Sequence, residues 1–334
     1  MKKIILSTIA IFFCLSAYNQ VINGTILDIE TDEKVPFASI YFNGTFVGTA
    51  SDSEGNFTLD ISNNISMPLT ISCIGYYSLT LTDFSLDEPL QIYLKPKRIE
   101  TGEVVVSGRS LVKERRGNLR LFKKVFLGTS VNAQSCEILN EEDITFNYGS
   151  DRDTIKAYAS KPIIVKNEAL GYTITYYLDI FEYDKKSQSF LFKGNSIFEE
   201  DFITKENTND EGYKEKRENA YLGSRMHFLR TLWVDALESS NFTIKNSEDK
   251  DLNYSDIVIQ QVGNLQDAFN QYIKYISYPT PMSIYYNAKV STMHLKYQRV
   301  FFDKTGYDSP GIIWEGEMLT KRIGDSLPLE YEPN

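Results

Sequence analysis

The chain has 334 residues and a formal net charge of −10, from 35 basic and 45 acidic side chains. Such an acidic surface repels the phosphate backbone of nucleic acids, whose binding depends on lysine and arginine, so we expect no nucleic-acid partner. The 22 tyrosines and 20 phenylalanines, against 10 prolines and 19 glycines, favour β-structure, because aromatic rings fit a pleated, half-buried surface. The length is enough for about two domains of roughly 100–200 residues each.

Residues 1–20 have the three-part pattern of a secretory signal peptide. Lys2 and Lys3 precede an apolar run from Ile4 to Leu15, and small or polar residues follow. The run is shorter than the ~20 residues of a membrane span, and no later uncharged stretch reaches that length. We therefore predict an exported protein whose mature chain has no transmembrane segment.

Residues 21–107 are predicted to form a seven-stranded antiparallel β-sandwich. Short apolar–polar alternations recur there about every 8–12 residues with turn residues between them, which is typical of such sandwiches. Phe57, Leu59 and Ile61, for example, share one face of a half-buried strand. The predicted strands span residues 21–28, 37–42, 46–50, 56–61, 68–74, 77–82 and 90–95.

The loop GTFVGTASDSEGN, residues 44–56, has glycines and an acidic step that could serve a metal, a ligand or a tight turn. An EF-type calcium loop places ligands at alternate positions and closes with a bidentate glutamate, and this loop lacks the closing glutamate. We therefore predict a turn in which Asp52 accepts backbone hydrogen bonds and Gly55 adopts a positive φ. On this interpretation Gly55→Val destabilises the domain by more than ~1 kcal/mol.

Several short motifs in residues 21–107 identify the domain type. They are Gly24, Asp28 and Thr31 with Pro36, then Gly44-Thr45, Gly48-Thr49, Asp52-x-x-Gly55-x-Phe57 and Ile74-Gly75-Tyr76. With them, and with the run GEVVVSG that ends it, the segment resembles the carboxypeptidase regulatory-like domain found in proteins of gram-negative bacteria. The resemblance implies a transthyretin-like, or prealbumin-like, sandwich and no activity of its own.

Members of that family lie beside the catalytic domain of some metallocarboxypeptidases and at the N-terminus of TonB-dependent outer-membrane receptors. A zinc peptidase needs an HxxE pattern with a further histidine, but neither His227 nor His294, the two histidines of the chain, has a glutamate three residues on. A receptor barrel of about 22 strands needs more chain than remains. The resemblance therefore implies an exported protein of the periplasm or outer membrane that keeps the domain without either familiar neighbour.

The remaining chain is divided from the sandwich by a basic, polar linker at residues 108–118. We predict that residues 119–334 form a β-rich α+β domain with one or two helices. A short amphipathic helical segment begins at Leu119, and a second helix follows Ser224 as its N-cap. Residues 204–219, between them, form a polar stretch.

Several short motifs in residues 119–334 are similar to motifs of a class of exported bacterial proteins. These proteins couple the regulatory-like sandwich to a C-terminal domain of unknown function. The motifs are Leu170-Gly171-Tyr172, Tyr221-x-Gly223-Ser224-x-x-His227-Phe228-x-Arg230, Asp303-x-x-Gly306, Arg322-Ile323 and Leu327-Pro328-x-x-Tyr331. The similarity implies export and this pairing of domains, and nothing catalytic.

The most tempting catalytic pair is Ser224 and His227, which lie three residues apart on the predicted helix. A nucleophilic site also needs an orienting acid, an oxyanion hole and a nucleophile on an exposed turn, and the sequence signals none of them. We predict a capping serine and a packed or surface histidine instead. His294 is interpreted as a residue on the polar face of a strand.

Three carboxylate clusters could in principle bind calcium or supply an acid–base pair. They are Glu141-Glu142-Asp143, Glu199-Glu200-Asp201 and Glu248-Asp249-Lys250-Asp251. Their spacing repeats no ligand loop, and acidic runs are usually solvated surface. We therefore predict no catalytic, cofactor-binding or metal-binding residue and no cofactor. Cys73 and Cys136, the cysteines that follow the leader, are either packed thiols or one long-range disulfide.

We predict an exported, non-enzymatic accessory or binding protein of the cell envelope whose partner is an envelope protein or a glycan. Exposed aromatic faces would suit either partner, and Trp233 and Trp314 are the reporters of such a face, with core packing as the alternative for both. Two other functions stay open. One is a glycan hydrolase whose acids meet only in the folded chain, and the other is an accessory component of a TonB-dependent uptake system.

Overall fold

The structure is a computed structural model. It describes residues 20–97 apart from residues 63, 65, 66, 85 and 87, together with residues 109–149, 153–201, 211–259 and 272–333. Residues 1–19 of the predicted leader lie outside the described residues.

The N-terminal part is a β-sandwich of seven strands, as predicted. They are β1 (Val21–Asp28), β2 (Ser39–Phe42), β3 (Gly48–Ala50), β4 (Asn56–Asp60), β5 (Leu69–Ser72), β6 (Leu79–Leu81) and β7 (Leu90–Leu94). One sheet has the strand order β4-β1-β7 and the other β3-β2-β5-β6. The pairs are antiparallel except β1 and β7, which run parallel. In the chain, β5 and β6 of the second sheet precede β7.

The alternation in β4 shows why this segment forms a strand. Phe57 and Leu59 are each 5% exposed, whereas Asn56, Thr58 and Asp60 between them face solvent. The apolar face packs into the core between the two sheets together with residues of every neighbouring strand. Burying each large side chain stabilises the sandwich by roughly 1.5–3 kcal/mol.

The middle of the chain packs a helix on a six-stranded sheet. Its elements are α1 (Arg109–Phe126), α2 (Val131–Gln134), β8 (Cys136–Ile138), β9 (Ile144–Tyr148), β10 (Thr154–Ala159), β11 (Ile163–Asn167), β12 (Tyr172–Asp184) and β13 (Phe190–Glu200). The strand order is β8-β11-β12-β10-β9, and β13 pairs with the length of β12. Phe122 and Phe126 of α1 are fully buried against this sheet.

Helix α1 begins at Arg109, ten residues before the predicted amphipathic segment and inside the predicted linker 108–118. Residues 112–117 of the helix are exposed, and Asn118 is the first of its described side chains to be buried. A helix without an apolar stripe leaves no hydrophobic periodicity, so the sequence pattern shows only the second half of α1.

The last part contains two smaller sheets and further helices. Its elements are α3 (Glu211–Tyr221), α4 (Arg225–Trp233), β14 (Phe242–Lys245), β15 (Asp251–Leu252), α5 (Tyr254–Ile257), β16 (Val258–Ile259), β17 (Ile273–Ile276), β18 (Met282–Tyr286), β19 (Lys289–Leu295), β20 (Val300–Asp303), β21 (Ile312–Gly316) and α6 (Glu317–Thr320). The strand orders are β15-β14-β18-β19-β21 and β16-β17-β20. Helix α4 packs Phe228, Leu229 and Leu232 into the core of this part.

The prediction of one or two helices is too low, because six α-helices lie within the described residues after the sandwich. Three of them, α2, α5 and α6, have four residues each and are too short to leave a periodic pattern. Helix α3 lies largely in the predicted polar stretch 204–219 and is stabilised from outside. The Nζ of Lys321 donates to the carbonyl oxygens of Asn219, Ala220 and Leu222 at 2.6–2.9 Å.

The chain after the sandwich has two separate hydrophobic cores, one under the six-stranded sheet and one around α4. The C-terminal segment runs back across the molecule, where Ile323 and Leu327 complete the core of the six-stranded sheet. The amide of Leu329 then donates to the carbonyl of Gly44 in the sandwich at 2.8 Å. In the part of the chain that the structure describes, no helix combines the length and apolarity needed to cross a bilayer.

Candidate functional site

The sandwich is joined to the six-stranded sheet through the loop Asn43–Phe46, which we call the docking loop. The Asn43 side-chain oxygen accepts from the Ser196 amide at 2.8 Å, and the Gly44 amide donates to the Ser196 carbonyl at 2.8 Å. The Phe198 amide donates to the Thr45 carbonyl at 2.9 Å. The loop therefore continues the open edge of β13 as a short parallel bridge, and these backbone bonds fix the two parts relative to each other.

A pair of tyrosines adds to this contact. The rings of Tyr41 in β2 and Tyr177 in β12 stack with their centroids 5.4 Å apart. The Tyr177 hydroxyl also donates to the Ser39 hydroxyl at 2.6 Å, so both the ring and the polar end of Tyr177 are held by the sandwich.

Beside the stacked tyrosines the two parts separate and enclose a cleft of about 310 Å³. One wall is the sandwich turn Cys73–Ser78, with Lys97 beside it. The opposite wall is made of residues 159–162, residues 177–180 and Lys193. The family motif Ile74-Gly75-Tyr76 is therefore the lip of an interdomain cleft. Small-molecule sites often lie at domain interfaces and span about 300–1,000 Å³, so the volume falls at the lower end of that range.

Asp179 enters the cleft from a β-bulge. Leu178 pairs with Gly194 and Ile180 pairs with Lys193, which leaves Asp179 as the extra residue of β12. A Cβ on Gly194 would lie 2.2 Å from the Tyr177 carbonyl oxygen, so the bulge requires glycine opposite it. Bulges redirect a side chain out of the regular pleat and occur often beside binding sites.

A chain of hydroxyl groups runs from the sandwich core to Asp179. The buried Tyr41 hydroxyl lies 3.1 Å from the Ser72 hydroxyl, which lies 2.9 Å from the Ser78 hydroxyl. The Ser78 hydroxyl is near enough to the Asp179 carboxyl, across the cleft, to lower the pKa of that carboxyl. Asn195 donates to the same carboxylate at 3.4 Å. The Asp179 carboxylate thus has a hydrogen-bond donor on its own wall and hydroxyl groups of the sandwich on the other side of the cleft.

The electrostatics around Asp179 are mixed. Protein atoms crowding the carboxyl raise the pKa of Asp179 above its ordinary value, although the residue keeps exposed surface, and the nearby Lys193, Lys97 and Ser78 oppose that rise. We call Lys97, Lys161 and Lys193 the cleft lysines. Three cations face one carboxylate here, which makes the cleft locally basic on an acidic chain.

Apolar side chains stand at the rim of the same cleft. Ile74 is 59% exposed, Tyr77 is 50% exposed and Ile180 is 41% exposed. The ammonium group of Lys97 lies 5.8 Å from the centre of the Tyr77 ring. The cleft thus combines cations, a carboxylate, hydroxyls and an aromatic surface, a set of groups that can bind a polar ligand with one apolar face.

Our sequence interpretation did not single out Asp179, although a signal for it exists. The inward apolar residues of β12 occupy even positions at Tyr172, Ile174 and Tyr176, then switch to the odd positions Phe181 and Tyr183. Such a switch of parity indicates one extra residue within a strand, because side chains alternate strictly in a regular one.

Ser224 and His227 lie close together in the structure, but both side chains hydrogen-bond to the backbone around the start of helix α4. The Ser224 hydroxyl accepts from the His227 amide at 3.1 Å, which confirms the predicted N-cap. Nδ1 of His227 accepts from the Gly223 amide at 3.1 Å. Burial, followed by the charges of Lys321 and Arg230, lowers the pKa of His227 to about 4. The hydroxyl and the ring are therefore each bonded to backbone rather than to each other.

The predicted acidic clusters are partly paired with cations or polar groups. Glu141 bonds Lys123, Glu200 lies 3.2 Å from Arg217, and Glu248 lies 2.8 Å from Lys250. Among the residues that the structure describes, no group of three or more His, Cys, Asp or Glu side chains has the arrangement of a metal site.

The remaining candidates lie in ordinary packing environments. Trp314 is 5% exposed and packs edge-on against Phe228, while Trp233 is half-buried beside Phe302. His294 on β19 lies 3.6 Å from Glu315.

Cys73 and Cys136, the cysteines among the described residues, are unpaired in the structure. Cys73 packs against the sandwich core and Cys136 against the core of the six-stranded sheet. Burial raises the pKa of both thiols, that of Cys136 to about 12.

The turn predicted at Asp52–Gly55 is confirmed. Asp52 Oδ1 accepts from the amides of Glu54 and Asn56 at 2.8 Å each, and Gly55 has a φ of 73°. A Cβ on Gly55 would lie 2.8 Å from the Ile26 carbonyl oxygen. The carboxylate is thus bonded to its own loop, as a turn requires.

A second cavity of about 160 Å³ is lined by two carboxylates, Asp308 and Asp325. Arg225 and Lys321 line the same cavity. Asp325 accepts from the Asn132 side chain at 2.9 Å, and burial raises the pKa of Asp308. The smaller size and the internal pairing make this cavity a weaker candidate than the cleft.

Comparison with known proteins agrees with the domain type. The sequence model of the CarboxypepD_reg-like domain family matches residues 22–106, so this part of the chain is a CarboxypepD_reg-like domain. A search of curated proteins found no match.

Proposed function

We propose that the protein is an exported, non-enzymatic binding module of the cell envelope and that the interdomain cleft receives its ligand. The observation that carries this proposal is the bulge at Asp179, which aims a carboxylate into a cleft whose other wall is the Ile74-Gly75-Tyr76 turn. Both walls contribute polar groups, so a ligand there would contact the CarboxypepD_reg-like domain and the six-stranded sheet together.

The geometry favours binding over catalysis in this cleft. Asp179 is the single acidic side chain among the described residues that line it, whereas a glycosidase needs two carboxyl groups facing each other across the scissile bond. The Ser224 and His227 side chains, which would suit a hydrolase, are bonded to backbone amides. These contacts support a role as an accessory protein that holds an envelope protein or glycan in the periplasm or at the outer membrane.

The test compares three forms of the mature chain, residues 21–334: wild type, Ile74→Glu and Val131→Glu. Ile74 lies at the cleft rim, and Val131, which is 78% exposed and lies outside the cleft lining, is the matched control. Each form is applied to a glycan array and to immobilised-protein capture from an envelope extract. We expect a ligand that wild type and Val131→Glu retain and that Ile74→Glu loses.

Two outcomes would contradict the proposal. Ligands held equally by all three forms, or no ligand in either assay, would show that the cleft is not a binding site. Shortening of a bound glycan during incubation, seen by mass spectrometry, would show that the protein is an enzyme.

A further inference from the structure

We infer that the ligand of the cleft is an acidic sugar, whose carboxylate is held by the cleft lysines and whose hydroxyl groups hydrogen-bond to Asp179. This inference rests on the proposed function and names the class of ligand. It follows from the charges, the acceptor and the apolar rim of the cleft.

The cations point to an anionic group on the ligand. The cleft lysines come from three separate places, the segment after β7, the β10–β11 loop and strand β13. Lys161 lies 3.3 Å from Asp143, whereas neither Lys97 nor Lys193 forms an ion pair with another described residue. A neutral sugar would leave Lys97 and Lys193 without an ion pair among the described residues, whereas an anion bound between them would gain charge-assisted hydrogen bonds.

The carboxylate of Asp179 excludes a bare anion as the preferred ligand. An ionised carboxylate is an acceptor only, so it repels phosphate or acetate placed next to it. Sugar hydroxyls, in contrast, donate to such a group. A ligand that carries an acid group and neighbouring hydroxyls satisfies the cleft lysines and Asp179 together.

The exposed apolar side chains at the rim of the cleft offer a surface for the apolar face of a sugar ring. Tyr77 and Ile74 present exposed apolar surface, and the C–H face of a pyranose packs on aromatic rings of this kind. The volume of about 310 Å³ lies at the small end of the range for ligand sites, so it suits one or two rings rather than a long chain.

The experiment is isothermal titration calorimetry of the mature chain at low salt with three uronate disaccharides, those of galacturonate, glucuronate and mannuronate. Each is paired with its methyl ester, which keeps the hydroxyls and removes the charge. Sodium acetate serves as the bare anion. We expect at least one acid to bind about tenfold or more tightly than its ester, with no acetate binding, and the affinity to fall as salt rises.

Three variants locate the site. Lys193→Gln and Asp179→Asn should each lower the affinity for the acid by about tenfold. The first removes a cation that pairs with the ligand carboxylate, and the second removes a charged acceptor of hydrogen bonds from the ligand hydroxyls. Lys113→Gln, an exposed lysine of α1, is the control and should bind like wild type. Equal binding of acid and ester, equal binding of acetate, or full affinity in Lys193→Gln would overturn the inference.

The result is separable from that of the proposed function. If none of the three acids binds while Ile74→Glu still abolishes capture of another ligand, the acidic-sugar inference is wrong and the binding site stands. If Ile74→Glu changes nothing in either assay, both fail.

Discussion

The boundary between the sandwich and the six-stranded sheet has two ends that are built differently. At one end the docking loop forms backbone hydrogen bonds to β13, and Phe46 packs edge-on against Phe198. At the other end the cleft separates the Ile74-Gly75-Tyr76 turn from Asp179 and contains charged side chains. One end holds the two parts together, and the other leaves space between them.

The difference suggests how the cleft keeps its width. The stacked rings of Tyr41 and Tyr177 lie between the two ends and make both part of one rigid boundary. A cleft whose walls are fixed before binding loses less conformational entropy when a ligand enters. Substitutions at the closed end or in the backbone of the bulge should therefore reduce stability, whereas substitutions of the side chains that line the cleft should reduce binding alone.

The largest effect is expected at Gly194, opposite the bulge. Gly194→Ala places a Cβ 2.2 Å from the Tyr177 carbonyl and 2.5 Å from the Tyr176 ring, so the backbone must shift and the protein should lose about 3 kcal/mol. Gly117→Ala, in an exposed turn of α1 with no atom near the new Cβ, should instead be neutral or gain up to ~1 kcal/mol. Urea unfolding of both variants measures the contrast. If the two variants had similar unfolding free energies, the bulge could accommodate a Cβ by shifting its backbone, and the cleft wall would not be rigid.

Arg230 supports the closed end from behind. Its guanidinium donates to the carbonyls of Thr305, Leu329 and Tyr331 at 2.6–2.9 Å, and Leu329 bonds the docking loop at Gly44. Arg230→Lys keeps the charge but replaces the planar guanidinium fork with one ammonium nitrogen on a shorter side chain, so we expect weaker bonds to these carbonyls and a loss of about 2 kcal/mol in urea unfolding.

Arg120→Lys on the exposed side of α1 is the control for that loss and should leave stability unchanged within about 0.5 kcal/mol. A loss no larger in Arg230→Lys than in this control would show that the C-terminal segment does not hold the docking loop in place.

His227 gives a smaller, pH-dependent effect in a region that touches neither end of the boundary. Because burial lowers the pKa of His227 to about 4 from its ordinary 6.5, the unfolded chain takes up this proton first as the pH falls. The stability is fully present above pH ~6.5 and is lost between there and pH ~4, by on the order of 1–2 kcal/mol. His227→Gln should flatten that part of the curve of unfolding free energy against pH. Parallel curves for wild type and variant would contradict it.

The sequence predicted the sandwich well because strands such as β1 and β4 have one buried face and one face open to solvent. Strand β4 is visible in the alternation of Phe57, Leu59 and Ile61, and the turn before it in Asp52 and Gly55. Both signals lie within one segment, so they can be read without knowing what the segment packs against. Helix α3 and the polar half of α1 leave no such pattern, since their stability comes from contacts elsewhere, such as Lys321 on the carbonyls that end α3. The hydrophobic pattern of a segment therefore predicts a helix or strand only when that element buries an apolar stripe of its own side chains.

The cleft lay beyond sequence reasoning for a different reason. Ile74 and Asp179 are about 100 residues apart and become neighbours only when the docking loop joins β13. The parity switch in β12 could have indicated the bulge, but the sequence contains no sign that the bulge faces the sandwich. The motif Ile74-Gly75-Tyr76 identified the domain, and its position on the cleft is a property of how the domains pack.

The smallest effect on stability is expected at Lys193, and it is the sharpest test of the two-ended boundary. Its side chain is exposed at the cleft and forms no ion pair with another described residue, so Lys193→Gln should change the free energy of unfolding by less than about 0.5 kcal/mol. The charge of Lys193 opposes the rise in the pKa of Asp179, so the same change should move that pKa further up. A pH titration of the Asp179 carboxyl by NMR, beside urea unfolding, measures both quantities. An unchanged pKa of Asp179 with a large loss of stability would contradict this expectation. It would mean that Lys193 stabilises the fold, and that the cleft contributes to stability as the closed end does.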